Sequence, residues 1–300
     1  MNIKKRFFLL LTFLTFCFIS IVSYSLEMKN GMVVDKYNNS VELKEYNRIV
    51  LADPAGIEIF YMLGAEDKIV AIGKTLMSKI QPVEKTNKLP SVGNITKPSI
   101  EKILSFSPDL VILNTMSVST GDSLKKLKIP FIISETEKID DIFKNLEIYG
   151  EFTGKKAEAE AIYQDSKKRV DTLKAKLEKE PLNLKGAILY VTTPMLAFND
   201  ESLPGEIMKF LGVKNIAGDL KGSRPIISQD LLIRENPDFL AGAMSIKSPD
   251  DLKKSAVLKT TAGKKENLFI VDSSKILRGS PRLFEEMEKF YNELVIIKNK

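Results

Sequence analysis

The chain carries one pattern twice, as SIEKILSFSPDL at residues 99–110 and as SQDLLIRENPDF at residues 228–239. In both copies an acid follows a serine by two positions, and a Pro-Asp pair precedes an apolar run. The copies are offset by 129 residues, as from Glu101 to Asp230 (230 − 101 = 129). Serine is a preferred helix N-cap and the residue before a proline disfavours helix, so each copy predicts a short capped helix followed by a buried strand. We therefore predict two similar lobes, each with one acid at the start of a matching helix.

Residues 1–25 predict an export signal. Three basic residues, Lys4 to Arg6, precede an apolar run from Phe7 to Val22, and small residues occupy the recognition positions before a cleavage site after Ser25. A retained membrane anchor is the alternative. The apolar run is shorter than the ~20 residues that a spanning helix needs, and Thr and Ser interrupt it. We expect an extracytoplasmic protein after cleavage.

Cys17 is the only cysteine and lies inside this predicted signal. The preceding residues loosely resemble a lipoprotein box, but bulky Phe16 occupies the place of a small residue. We interpret Cys17 as part of the signal rather than as a lipid anchor. The mature chain would then have no disulfide and would depend on its core for stability.

Composition excludes several kinds of function. The formal charge of +6 falls to about +3 without the three basic residues of the signal (6 − 3 = 3), which is too mild to indicate nucleic-acid binding. The chain has no histidine, which excludes His-based zinc sites, Ser-His and Cys-His triads and a His ligand to haem. We predict no catalytic residues, no metal site and no resident cofactor.

Short strands alternate with helices in both halves of the chain, which is typical of α/β lobes with parallel sheets. The N-terminal lobe is predicted at residues 26–152, beginning with a β-hairpin, and the C-terminal lobe at residues 182–300. Between them, residues 153–181 are dominated by an amphipathic stretch without Gly or Pro. About 24 helical residues at 1.5 Å each would extend roughly 36 Å, enough to cross a lobe boundary. We expect little hinge motion across such a connection.

Several segments in a fixed order carry a family resemblance. They are Arg48-Ile49-Val50, Gly56-Ile57-Glu58 through Leu63-Gly64-Ala65, Ile69 to Gly73, Val92-Gly93, Glu101 through Ile112, Phe152-Thr153-Gly154 and Asn236-Pro237-Asp238. Together they resemble the iron-siderophore, haem and cobalamin family of periplasmic substrate-binding proteins, which serve ATP-driven (ABC) importers. The resemblance covers nearly all of the mature chain. It implies two Rossmann-like lobes, one long rigid helix that joins them, and a ligand cleft between the lobes.

Glu101 and Asp230 have two interpretations. An acid in the first helical turn stabilises the helix dipole by about 0.3–1 kcal/mol, which needs no partner. The resemblance instead implies that one acid per lobe pairs with arginines of the membrane permease. Asp230 is shorter than the glutamate usual at that position. Glu58, another family-like position, is either structural or near the cleft.

Ligands of open α/β sheets bind beyond the carboxyl ends of the strands. The loops at those ends, with the positions that the resemblance adds, give the predicted cleft residues Asp53, Pro54, Lys74, Met77, Asn94, Met116, Met195, Phe198, Arg224, Met244, Arg278 and Arg282. Arginines in the cleft would suit an anionic ligand, although ordinary surface arginines are the alternative. The methionines either fill gaps in the core or form a soft apolar wall. Tyr190 is expected to face the sheet.

We predict an extracytoplasmic binding protein, expected to be a monomer, that captures a ferric siderophore for an ABC importer, with haem and then cobalamin as the next ligands. An oxyanion such as molybdate or tungstate is an alternative within the same fold. An exported enzyme that uses carboxylate or lysine chemistry, and a scaffold that has lost its ligand, are the rival classes.

Overall fold

The computed structural model describes residues 25–76, 78–222 and 224–300. The predictions for the signal sequence and for Cys17 lie outside these residues, as does Met77. Ser25, at the end of the predicted signal, is buried; its N–H donates to Asp141 and its hydroxyl accepts from the Glu135 N–H. Ser25 is therefore an ordered part of the N-terminal lobe.

The described strands are β1 (Leu26–Lys29), β2 (Met32–Asp35), β3 (Ser40–Glu42), β4 (Ile49–Leu51), β5 (Ile69–Lys74), β6 (Ser91–Asn94), β7 (Lys97–Pro98), β8 (Leu110–Asn114), β9 (Phe131–Ser134), β10 (Lys185–Thr192), β11 (Met195–Ala197), β12 (Lys214–Asn215), β13 (Phe239–Gly242) and β14 (Leu268–Ile270). The α-helices are α1 (Pro54–Met62), α2 (Val83–Thr86), α3 (Ile100–Ser105), α4 (Val118–Lys126), α5 (Ile139–Thr153), α6 (Lys156–Lys179), α7 (Leu203–Phe210), α8 (Gln229–Glu235), α9 (Thr261–Lys264), α10 (Ser273–Ile276) and α11 (Arg282–Lys298).

The N-terminal lobe is built on a sheet of order β7-β6-β5-β4-β8-β9, in which every pair except β6–β7 is parallel. Its central strands are fully buried, as continuous apolar runs in a parallel sheet should be. The predicted leading hairpin is present and gains β1 as a third antiparallel strand.

The C-terminal lobe repeats this plan with fewer strands. Its sheet has the order β11-β10-β13-β14, with β12 also paired to β10, and only β11 runs antiparallel. Residues 225–227, whose sequence predicts a short strand, form only a single bridge, between Ile226 and Leu196. The prediction of two α/β lobes is confirmed.

Helix α6 crosses from one lobe to the other. Near its start Ala159 packs into the core of the N-terminal lobe, and near its end Leu173 packs into the core of the C-terminal lobe. Helix α5 also spans both cores, through Ile142 at one end and Phe152 at the other. Gly154, with φ 71°, ends α5 in the left-handed region that glycine favours and turns the chain into α6. No helix among the described residues is long and apolar enough to span a bilayer.

Candidate ligand cleft and docking helices

A cleft of about 670 Å³ lies between the lobes. On one side it is lined from the ends of β4, β6, β8 and β9, and on the other from the ends of β13 and β14 and from the segment after β11. These are the carboxyl edges of parallel sheets, where ligands of such folds bind. The volume is within the range of ordinary small-molecule sites.

Most of the predicted cleft residues line this space. They are Asp53, Pro54, Asn94, Met116, Phe198, Arg224, Met244 and Arg278. The other described ones, Lys74, Met195 and Arg282, lie outside the lining. Lys74 lines a neighbouring groove and its Nζ donates to the Asn87 carbonyl at 3.1 Å.

Met195 differs from the prediction because of the direction of its strand. It belongs to strand β11, which turns back antiparallel along β10 immediately after that strand ends, so it lies within the sheet rather than in a loop beyond the carboxyl end of β10. Its side chain packs, half-buried, against the second apolar cluster of the C-terminal lobe, which includes Ile227. Met195 is therefore a core contact.

Tyr190 lines the cleft, and the expectation that it faces the sheet was wrong. The pairing of β10 with β11 is irregular between Leu189 and Val191, and a bulge of this kind re-aims a side chain. The Arg224 guanidinium carbon lies 4.4 Å from the Tyr190 ring centroid, and the Phe198 ring meets Tyr190 edge-on at 6.0 Å. A cation over an aromatic face is stabilised by about 0.5–1 kcal/mol, so the pair holds Arg224 at the cleft wall.

Asp53 lies at the floor of the cleft and caps α1. Its carboxylate accepts from the N–H groups of Ala55, at 3.2 Å, and Gly56, at 3.0 Å. Burial raises the pKa of Asp53, while these N–H groups and the nearby Arg278 act in the opposite direction. The carboxyl therefore stabilises the start of the helix rather than standing free for a ligand.

Glu58 joins the two lobes beneath the cleft. This N-lobe side chain is 1% exposed, and its carboxylate accepts from the Ser280 hydroxyl at 2.8 Å and from Arg282 Nη1 at 3.2 Å. Arg278 Nε lies 3.7 Å from the same carboxylate. Glu58 therefore has a structural role, and Arg282 pairs with Glu58 instead of lining the cleft.

The Arg278 guanidinium is also held by residues of the N-terminal lobe. Its Nη2 donates to the Ser78 hydroxyl at 2.9 Å and to the Lys79 carbonyl at 3.1 Å, both in the N-terminal lobe. Burial lowers the pKa of Arg278, and the attraction of Glu58 and Asp53 opposes that shift. Arg278 therefore contributes to the junction between the lobes more than to the recognition of an anion.

The lining carries little net charge. Among its described residues, Arg224 is the cation that no carboxylate pairs with. Glu135 faces the same space, is paired with Lys36, and has its pKa raised by burial. The other charged residues of the lining are Asp53, Arg278 and Glu137, whose carboxylate also pairs with Lys36, and the rest of the surface is aromatic, aliphatic, hydroxyl and amide in character. No group of three or more acidic or cysteine side chains among the described residues could hold a metal ion.

Leu76 is a cleft residue that sequence reasoning missed. Its side chain is 97% exposed at the edge of the cleft, in the loop after β5. The rule for open sheets predicts that this loop faces the cleft and favours Lys74 and Met77 in it, but it does not single out Leu76. Full exposure of a large apolar side chain beside a cavity could not be inferred from its type.

The repeated pattern forms matching helices, α3 and α8. The Ser99 hydroxyl accepts from the Lys102 N–H at 3.3 Å, and the Ser228 hydroxyl accepts from the Leu231 N–H at 3.1 Å. Glu101 and Asp230 are both exposed and make no hydrogen bond or ion pair within the described part of the chain. Each helix begins shortly after a segment that lines the cleft, so the acids flank the cleft on the two lobes.

Residues 49–274 match the sequence model of periplasmic binding proteins. The chain belongs to the periplasmic binding protein family. One relative is an uncharacterised ABC transporter substrate-binding lipoprotein of Bacillus subtilis, YvrC, which is 25% identical over 266 residues, covering 85% of this chain and 82% of that protein. The family consists of binding proteins rather than enzymes.

Two crystal structures share the fold. The periplasmic vitamin B12-binding protein BtuF of Vibrio cholerae superposes with a TM-score of 0.74 at 20% identity, covering 85% of this chain and 99% of that one. The periplasmic heme-binding protein RhuT of Roseiflexus sp. RS-1 gives a TM-score of 0.73 at 20% identity with the same coverage. Both likenesses concern the fold alone.

Proposed function

We propose that this chain is the extracytoplasmic substrate-binding protein of an ABC importer and that it captures a large, nearly neutral metal chelate between its lobes. The observation that carries the proposal is the character of the cleft: about 670 Å³, with mainly apolar and neutral polar walls, two carboxylates that pair with Lys36, and one arginine that no carboxylate pairs with. The family, and the name of the Bacillus relative, support the importer.

The pairing of two arginines with Glu58 disfavours strongly anionic ligands. With Arg278 and Arg282 both occupied by Glu58, the cleft lacks the converging cations that a molybdate ion or a polyanionic ferric catecholate needs. A ferric hydroxamate is a neutral complex with amide groups, and cobalamin is a large metal macrocycle with many amides. Asn94, whose side-chain N–H groups bond to no described residue, offers such a ligand neutral hydrogen-bond donors. We place the ferric hydroxamate first and cobalamin second.

Haem is a further candidate because of the Tyr190–Arg224 pair. A tyrosine oxygen is one of the ligands that proteins use for haem iron, and an arginine suits a propionate. The Tyr190 hydroxyl lies in the cleft wall and bonds to no described residue. The lone cation argues against this ligand, which carries two propionates.

Delivery to the membrane forms the second part of the proposal. Glu101 and Asp230 would pair with cationic side chains of the permease, one on each side of the cleft. Replacement of both by alanine would spare ligand binding and impair uptake, whereas normal uptake by the double variant would reject this role.

Calorimetric titration of the purified full chain tests the ligand class. The probes are ferrichrome, cyanocobalamin, hemin and sodium molybdate. We expect saturable binding of ferrichrome or cyanocobalamin, weakened about tenfold in Phe198→Ala because a buried aromatic wall is lost. Lys125→Gln, on a distant groove of the N-terminal lobe, should bind as the wild type does.

Other outcomes of the titration count against the proposal. Binding of molybdate alone would show that the ligand is an oxyanion and not a neutral chelate. Binding of hemin alone would show that the ligand is haem and would favour Tyr190 as the iron ligand. Chemical turnover of a bound probe would identify an enzyme.

A further inference from the structure

Helices α3 and α8, which carry the proposed docking acids Glu101 and Asp230, share a second exposed feature. Leu104 follows Glu101 by three residues on α3, and Ile233 follows Asp230 by three residues on α8. Each of these aliphatic side chains is 43% exposed. They occupy equivalent positions in the repeat, since their offset is again 129 residues (233 − 104 = 129). The exposed surface is therefore duplicated in hydrophobic character as well as in charge.

Helix geometry places each acid beside its aliphatic neighbour. Residues three apart lie on the same face of a helix, about 5–6 Å apart at their Cβ atoms. The preceding residues, Ile103 on α3 and Leu232 on α8, are fully buried and fix both helices in the same orientation on their lobes. Each lobe thus presents an acid and an aliphatic side chain together toward solvent.

A single exposed leucine would need no explanation, because scattered apolar side chains are normal on protein surfaces. Here, however, the exposure recurs to the same extent at equivalent positions of the repeat, one on each lobe. In both lobes it adjoins a carboxylate that bonds to no described residue. An unpaired acid next to exposed aliphatic surface is complementary to a partner that offers a cation beside an apolar depression.

We propose that Glu101 with Leu104 and Asp230 with Ile233 form one duplicated docking surface for a permease built of two equivalent subunits, and that the aliphatic members carry much of its affinity. A surface that repeats on two lobes fits a partner whose own surface repeats by symmetry. The inference rests on the proposed importer function and adds apolar anchors to its two acids.

The two kinds of contact differ in their response to salt. Exposed ion pairs contribute about 0–1 kcal/mol and are screened at high ionic strength. Burial of an aliphatic side chain is insensitive to this screening. Loss of one half-exposed aliphatic group should weaken binding about fivefold, or about 1 kcal/mol at 1.4 kcal/mol per tenfold.

The test measures the affinity of the full chain for the cognate permease–ATPase complex in nanodiscs, at about 0.05 M and about 0.5 M NaCl, where the screening lengths differ severalfold. Leu104→Ser/Ile233→Ser removes the aliphatic pair, and Glu101→Gln/Asp230→Asn removes the charges. Ile296→Ser on α11, where the side chain is 54% exposed, is the matched control. Leu104→Met/Ile233→Leu retains the apolar surface.

We expect the serine pair to weaken binding about 25-fold at both salt concentrations, if the two sites act additively. The charge variant should lose affinity mainly at low salt, and the control and the Met/Leu variant should match the wild type. Wild-type affinity of the serine pair alongside a weakened charge variant would overturn the aliphatic anchors while leaving the acid docking intact. Wild-type affinity of both variants would refute the proposed docking as well.

Discussion

At the scale of single residues, Glu58 provides a buried polar constraint between the lobes. Its buried carboxylate compensates both Arg278 and Arg282, so its removal leaves cationic groups without a counter-ion. Breaking a buried pair of this kind costs about 3–5 kcal/mol, and we expect Glu58→Ala to lower the free energy of unfolding by that amount. Urea unfolding measures it.

A surface pair supplies the control for Glu58. Glu42 and Lys44 are an exposed pair at 2.5 Å, and Glu42→Ala should change stability by no more than about 1 kcal/mol. Equal effects of the two substitutions would show that the network beneath the cleft does not hold the lobes together.

Asp53 predicts a dependence of stability on pH. Burial raises its pKa in the folded chain, so the folded state binds a proton more tightly than the unfolded state. The contribution of Asp53 is therefore greatest below its ordinary pKa and is lost as the pH rises through the raised value. Asn caps a helix about as well as Asp but does not titrate. The stability of Asp53→Asn relative to wild type should increase as the pH rises from about 4 to about 7; a constant difference in thermal midpoint would contradict this.

Sequence patterns located most cleft residues but not their contacts. Positions at the carboxyl ends of strands, such as Asp53 and Asn94, follow from the rule for open sheets. The partnership of Glu58 with Arg282 spans 224 residues, and no local pattern contains it. The orientation of Tyr190 depends on the irregular pairing of β10 with β11. The alternation of side chains along a regular strand does not predict such an irregularity.

At the scale of elements, the connection between α10 and α11 packs closely against Thr136 of the N-terminal lobe. A Cβ atom on Gly279 would lie 2.2 Å from Thr136 Oγ1 and 2.3 Å from Thr136 Cβ. Gly279→Ala should therefore push this connection away from the N-terminal lobe, lower the thermal midpoint and weaken ligand binding. Thr136→Gly in the same chain removes the obstructing side chain and should restore both. Failure of this second substitution to restore them would contradict the close approach as the cause.

Helices were easier to predict than the short strands. The long helix α6 lies at Lys156–Lys179, within the stretch that lacks Gly and Pro, because its alternation of apolar and charged residues extends over many turns. The two copies of the repeat predict α3 and α8 because a serine cap marks the start of each helix and a proline follows its end. Segment 225–227 has too few residues for its pairing to be distinguished from a bridge.

At the scale of the whole molecule, three connections restrain the lobes. Helices α5 and α6 each enter both cores, and the Glu58 network closes the base of the cleft. We expect small-angle X-ray scattering to show a change in radius of gyration below about 1 Å when the ligand binds, as in pre-organised complexes. A contraction of several ångströms would show a hinge that these contacts do not permit.

The central claim is that this chain captures a neutral metal chelate and delivers it to an importer. The most direct measurement is ATP-driven uptake of radiolabelled ferrichrome or cyanocobalamin by proteoliposomes that contain the permease–ATPase complex, with and without the full chain. We predict uptake that requires the chain and that Glu101→Ala/Asp230→Ala impairs without loss of ligand binding. Equal uptake in the absence of the chain, or with the double variant, would contradict the account.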